Sequence, residues 1–172
     1  EMARMFAEMR DCGKTYGHSL LFVALDAKEQ AMAGADALRS FLGKNGMQAS
    51  LVVNLDQLGS ALAPINKNRP DYLLMLCENA GSERLALERA NTEPDLGLDL
   101  AFDYYGSKDF TNLFYRRISE QRVFLEQGIP AVMFTSGITL NNNKSYDTPE
   151  TLDYPLLHSR IRLIFHFLHR ML

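Results

Sequence analysis

The sequence predicts an α/β fold, a three-layer α/β/α sandwich with a mixed, mainly parallel sheet. Two observations carry that expectation. Short, nearly continuous apolar runs of five to seven residues recur along the chain, as strands buried on both faces require. Amphipathic segments with helical spacing separate them, the order that generates parallel strands and crossover helices. The length of 172 residues, 47% hydrophobic and 23% charged, suits one domain around one sizeable core.

The elements follow in order. Residues 1–11 place Met2, Met5, Phe6 and Met9 on one helical face, and Cys12-Gly13 supplies a stop. Residues 19–25 (SLLFVAL) read as a first strand, followed by the polar turn 26–30. A helix follows, with Ala35, Leu38, Phe41 and Leu42 on its inner face and Gly43 and Gly46 near its end. Residues 49–55 (ASLVVNL) and 71–77 (DYLLMLC) read as further buried strands. Residues 82–90 read as a short helix carrying Leu85 and Leu87, 96–102 as a weakly alternating strand, and 110–124 as partly helical. Residues 130–135 (PAVMFT) form another apolar strand. Residues 149–172 close the chain as an amphipathic helix, with Leu157, Ile161, Ile164, Phe165 and Leu168 inward and the Asp147-Thr148-Pro149-Glu150 stretch as its start.

Composition excludes several classes. Eighteen basic and 21 acidic residues give a net charge of -3, which offers no basic field to nucleic acid. No apolar run approaches the ~20 residues of a membrane helix. Cys12 and Cys77 lack metal-ligand spacing and read as two free, partly buried thiols. His18, His158, His166 and His169 read as surface or packed residues, and Tyr104, Tyr105 and Tyr115 as pocket-lining or filling aromatics.

In parallel sheets ligands sit at the carboxyl ends of the strands. That rule singles out three stretches: residues 26–30, residues 56–59 and the loop after Thr135. The same stretches carry a resemblance. FVALDAKEQAMAGA (22–35) is similar to "FVAFDGEEQGLLGS" of the zinc aminopeptidases, family 28 of the metallopeptidases. VVNLDQLG (52–59) resembles that family's "MINLDMVG". GIPAVMFTSG with YDTPETLDYPLL resembles "GIPAVFFTGVHEDYHKPTDTPDKIDYELL". The order agrees across nearly the whole chain.

The resemblance implies a zinc exopeptidase-like fold, shared with glutaminyl cyclases, in which two zinc ions activate a water and a glutamate accepts its proton. Carried onto this chain, Lys28 stands at the general-base position, where an ammonium cannot act as a carboxylate. Glu29 and Asp56 stand at metal-ligand positions, and Asn143 replaces the last histidine ligand. Glu120 and Gln121 stand where the family often has an Asp and a His near the substrate. The family's upstream His and Asp ligands would precede Glu1, so residues 1–172 are expected to be a single aminopeptidase-like domain without the family's N-terminal part. Glu29 and Asp56 read as vestigial ligands or as plain strand-end polar residues.

The expectation is an inactive domain with no cofactor of its own, zinc being the family's. A peptide or protein is the expected partner, with self-association as a further expectation, and neither nucleic acid nor a membrane span. Two alternatives stand beside it: a truncated or divergent piece of an active zinc exopeptidase, and a scaffold for oligomer formation. Because the family is commonly exported, the resemblance leans toward an extracytoplasmic location.

Overall fold

The computed structural model describes residues 1–78, 81–92, 94–139 and 141–172. Helix α1 is Met2–Asp11 and α2 is Ala33–Lys44. Strands β1, Val52–Asp56, and β2, Tyr72–Cys77, precede helix α3, Gly81–Thr92. After β3, Asp99–Ala101, come α4, Lys108–Arg116, and the single turn α5, Arg122–Leu125. Strand β4 is Ala131–Thr135, and the chain closes with α6, Tyr154–Met171.

The four strands form one open sheet in the order β1-β4-β2-β3. Strands β1 and β4 are parallel, as are β2 and β3, while β2 runs antiparallel to β4. Register places Asp56 beside Thr135, so β1 and β4 end together. Alternation on β2 divides the core. Leu73 and Met75 join Val132 and Phe134 against Phe6, Leu87, Leu163 and Phe167, the buried faces of α1, α3 and α6. Tyr72, Leu74 and Leu76 face the other way, toward Tyr104, Tyr115 and Met133. A third cluster, Met32, Ala35, Val123 and Phe124, packs α2 against α5. Full burial of residues 72–76 explains their unbroken apolar sequence, since each such side chain is worth about 1.5–3 kcal/mol when removed from water.

Several expectations need correction. Residues 19–25 form no strand; they are irregular, and Leu21, Phe22, Val23 and Leu25 are exposed. An apolar run becomes a strand only where a neighbour offers a hydrogen-bond ladder. Here the sheet stops at β1, and a cavity of about 980 Å³ lies between 17–25 and that strand. The outer edge of β1 is consequently less covered, and Leu55 is exposed. Phe41, expected on the inner face of its helix, is also exposed, and so is Leu85. Cys12 caps α1 in solvent rather than in the core, while Cys77 is half-buried.

The closing helix starts later than expected. Pro149–Thr151 makes only one 3-10 turn, and residues 152–153 leave helical geometry. The helix cap is Asp153, whose carboxylate accepts from the Leu156 amide at 2.9 Å, with Pro155 in the first turn. Asp153 is held there because its own amide donates to the Gly59 carbonyl. Gly59 packs closely there: a Cβ on it would lie 2.5 Å from the end of the Leu152 side chain, which would have to turn aside.

Candidate functional site

The loop of residues 26–32, the end of β1 and the turn before α5 meet at one end of the sheet. Lys28 extends its ammonium to Asp56 Oδ2 at 2.6 Å and lies 3.8 Å from Glu120 Oε2. All three side chains are mostly buried, at 32%, 22% and 16% exposure. Beneath them Asn54 donates to Glu120 at 3.3 Å and to Gln121 Oε1 at 2.7 Å. The fully buried Gln121 passes its own amide hydrogens to the Tyr115 carbonyl at 2.7 Å and to Met133 Sδ at 3.4 Å. Glu120 is thus held from below by the Asn54 amide, while Lys28 reaches both carboxylates from above.

The loops after β1 and β4 complete this end. Gln57, with φ of 55°, donates from its side chain to Asn142 Oδ1 at 2.7 Å, and its carbonyl accepts from the Ser136 amide at 3.0 Å. Tyr72 donates to the Ser136 carbonyl at 2.6 Å. Tyr104 is buried beside them, and burial, with the Asp56 charge nearby, pushes its phenol up to about 12. Tyr105 is exposed and donates to the Ala63 carbonyl at 3.1 Å.

Arg160 of α6 braces the loop beyond Asp56. Its guanidinium donates to the carbonyls of Tyr72, Leu58 and Ser60 at 2.7, 2.6 and 2.7 Å and lies over the Tyr72 ring. It is fully buried and burial lowers its pKa; one nitrogen, Nη2, has no partner.

Of the residues the sequence singled out, Lys28, Asp56 and Glu120 come together, with Gln121 behind them. The Asn141–Asn143 stretch reaches the same end through Asn142, while Asn143 is exposed with φ of 59°. Glu29 is exposed and makes no described bond to the group. Tyr115 is a buried filler whose hydroxyl donates to the Ala131 carbonyl at 2.7 Å. His169 pairs its Nδ1 with the Tyr16 hydroxyl at 3.0 Å, and burial lowers the pKa of His166.

Asn54 and Arg160 were not singled out. Each is a polar residue inside an apolar pattern, and that is the signal that could have found them.

Zinc takes four ligands, from thiolate, imidazole and carboxylate. The donors gathered here are two carboxylates with an ammonium between them. Among the described residues no group of three or more His, Cys, Asp and Glu is arranged to hold a metal ion. This donor set does not fit a di-zinc centre.

An open, mostly parallel sheet with polar loops at the shared strand ends defines an α/β protein. The profile of Peptidase family M28 matches residues 1–168, and the chain belongs to that family. Solved structures agree on the fold. LapB from Legionella pneumophila superposes with a TM-score of 0.71 at 15% identity, over 99% of this chain and 43% of that one. The LapA aminopeptidase of the same organism gives 0.63 at 12%, over 86% and 38%. An aminopeptidase from Aneurinibacillus sp. strain AM-1 gives 0.58 at 16%, over 85% and 32%. The chain therefore spans about two-fifths or less of the length of these proteins. No curated protein sequence matches it.

Proposed function

We propose that this chain is an aminopeptidase-like domain that binds a peptide or protein partner at its strand ends and does not hydrolyse it. The observation that carries this reading is the Lys28 ammonium on Asp56, 2.6 Å away. Peptide hydrolysis in this family's manner needs a metal-activated water and a carboxylate to take its proton. At the base position stands a cation already engaged with a would-be ligand. At the last ligand position stands Asn143, whose neutral amide is a weak donor for zinc. Losing one catalytic group commonly costs about 10²–10⁴-fold in rate, and losses at the metal and the base act on the same step.

Binding survives those losses more easily than catalysis does. The strand-end loops still offer hydrogen-bonding side chains at Gln57 and Asn142 and the exposed ring of Tyr105. The test is an aminoacyl-nitroanilide assay with added zinc, run alongside metal analysis by mass spectrometry and titration with short peptides. The expected result is no turnover, no stoichiometric zinc and saturable peptide binding weakened by Tyr105→Ala. Turnover abolished by Asp56→Ala, or close to two zinc ions per chain, would overturn the reading.

A further inference from the structure

The donor set rejects zinc, yet it leaves two carboxylates, Asp56 and Glu120, facing one point. Their mutual repulsion at partial burial is unfavourable unless a cation lies between them. One does: Lys28 Nζ, 2.6 Å from Asp56 and 3.8 Å from Glu120. We propose that Lys28 is a tethered resident cation, its ammonium occupying the point between Asp56 and Glu120 that a divalent metal ion would otherwise take. The inference rests on the non-hydrolytic reading and deepens it, because it says what holds the site together in the absence of a metal.

Three features support the assignment. First, the two carboxylates are brought to the same end of the sheet by separate elements. Glu120 accepts from Asn54, and Asp56 stands at the end of β1, where its carboxylate accepts from Lys28.

Second, the lysine reaches them only because its loop is bent. Ala27, Ala31 and Met32 all have φ between 56° and 64°, the left-handed conformation that is unfavourable for L-residues. The Asp26 backbone is pressed against Gly34, and Met32 and Ala35 are buried against α5. A strained loop held by packing delivers the ammonium to one place.

Third, the ammonium is a single charge against two carboxylates. It neutralises the pair in part, and it occupies the space that a 2+ ion with short metal–oxygen distances would need.

The consequence is an exchange relation between lysine and metal. With Lys28 in place the site should ignore divalent ions. Without it, the paired carboxylates should be destabilising and should become a weak divalent-cation site. The experiment follows thermal unfolding of the whole chain during a zinc titration from zero to millimolar, for wild type, Lys28→Met and Lys28→Met/Asp56→Asn. Isothermal calorimetry of zinc against the same three proteins gives a second readout.

The expected result is a wild-type Tm unmoved by zinc. Lys28→Met should unfold several degrees lower and regain stability as zinc rises, and the double variant should show no zinc response. Calcium in place of zinc should act similarly and more weakly if carboxylate oxygens are the ligands.

Zinc binding by the wild type would overturn the inference, as would a Lys28→Met variant that neither loses stability nor responds to metal. Should Lys28→Met fail to fold, Lys28→Arg keeps the question open to decision. It retains the charge and should be folded and zinc-insensitive; a zinc response in that variant counts against the inference. The outcomes separate from those of the functional proposal. Zinc binding by the wild type well short of two ions per chain, without hydrolysis, removes only the tethered cation, whereas hydrolysis without bound metal removes only the non-hydrolytic reading.

Discussion

Gly34 passes so close to Asp26 that a Cβ on it would lie 2.2 Å from the Asp26 carbonyl oxygen and 3.0 Å from its amide nitrogen. The obstacle is backbone on both counts and cannot rotate away. The contact closes the loop that carries Lys28 against the first turn of α2. Gly34→Ala must therefore push that loop outward, at a cost of about 1–3 kcal/mol or more, typical of overpacking. Urea unfolding should show the loss. A variant of wild-type stability would mean that the loop yields freely.

The same loop can be relaxed. Ala27 and Ala31 adopt φ of 59° and 56°, and both stand where the quoted family stretch has glycine. A left-handed alanine costs about 1–2 kcal/mol, whereas glycine's extra freedom in the unfolded chain costs about 0.5–1. The difference favours glycine, so Ala27→Gly and Ala31→Gly should each raise stability by about 0.5–1 kcal/mol. Chemical denaturation of the single and paired variants checks the sign. Lower midpoints would show that the methyl groups pack more usefully than the backbone conformation costs.

Arg160 should be the least replaceable polar residue of α6. Three carbonyls on the loop after β1 and on β2 accept from it, the one on Tyr72 buried and those on Leu58 and Ser60 partly buried. Arg160→Met fills similar volume but leaves those acceptors without donors, each worth about 1–3 kcal/mol when buried and unpaired. Relief of the guanidinium's own desolvation offsets part of that loss. A net destabilisation of about 2–4 kcal/mol is expected, together with faster amide exchange around residues 58–60. Equal stability and unchanged exchange would make Arg160 a passive filler.

How much of this was legible in the sequence depends on what each residue answers to. Strands β1, β2 and β4 were readable because a strand buried on both faces has to be apolar throughout, whatever surrounds it. The residues 19–25 are just as apolar, but whether they pair depends on a neighbour that sequence cannot supply. The helix start misled for a local reason. Asp147-Thr148-Pro149 has cap chemistry, yet Asp153-Tyr154-Pro155 has it too, and the bond from the Asp153 amide to Gly59 decides between them. At the site, Lys28 and Asp56 were readable from motif position. Their ion pair was not, because it depends on the left-handed bends at Ala27, Ala31 and Met32.

Alkaline pH should unfold the protein through its buried phenols. Burial pushes Tyr104 and Tyr115 up to about 12 from an ordinary value of 10.0, and Cys77 up to about 11 from 9.0. Each folded-state value lies above the unfolded one, so the stabilisation is fully present below about pH 9. It is lost as pH rises toward 12, because the unfolded chain releases these protons first. Each tyrosine accounts for about 2–3 kcal/mol across that window. Stability measured from pH 8 to 11.5 should fall steeply, and Tyr104→Phe should flatten the slope even if it lowers stability at neutral pH. A flat profile in the wild type would contradict the burial of these groups.

The segment 19–25 sets the last expectation. Leu21, Phe22 and Val23 are 57%, 46% and 46% exposed, next to a β1 edge that pairs with no strand on its outer side among the described residues. An apolar run without charge beside an open strand edge is a template for pairing with another chain. The protein in isolation should therefore associate as its concentration rises, with a mass by light scattering above that of one 19.5 kDa chain. Charges placed on the run should oppose that association. Phe22 contacts the ring of the buried Phe6, so Phe22→Lys tests stability as well. Leu21→Lys, the most exposed of the three, isolates the surface effect. It should restore a monomer at concentrations where the wild type associates, with an unchanged urea midpoint. A wild type that stays strictly monomeric at high concentration would show that residues 19–25 and the β1 edge shield each other from further chains.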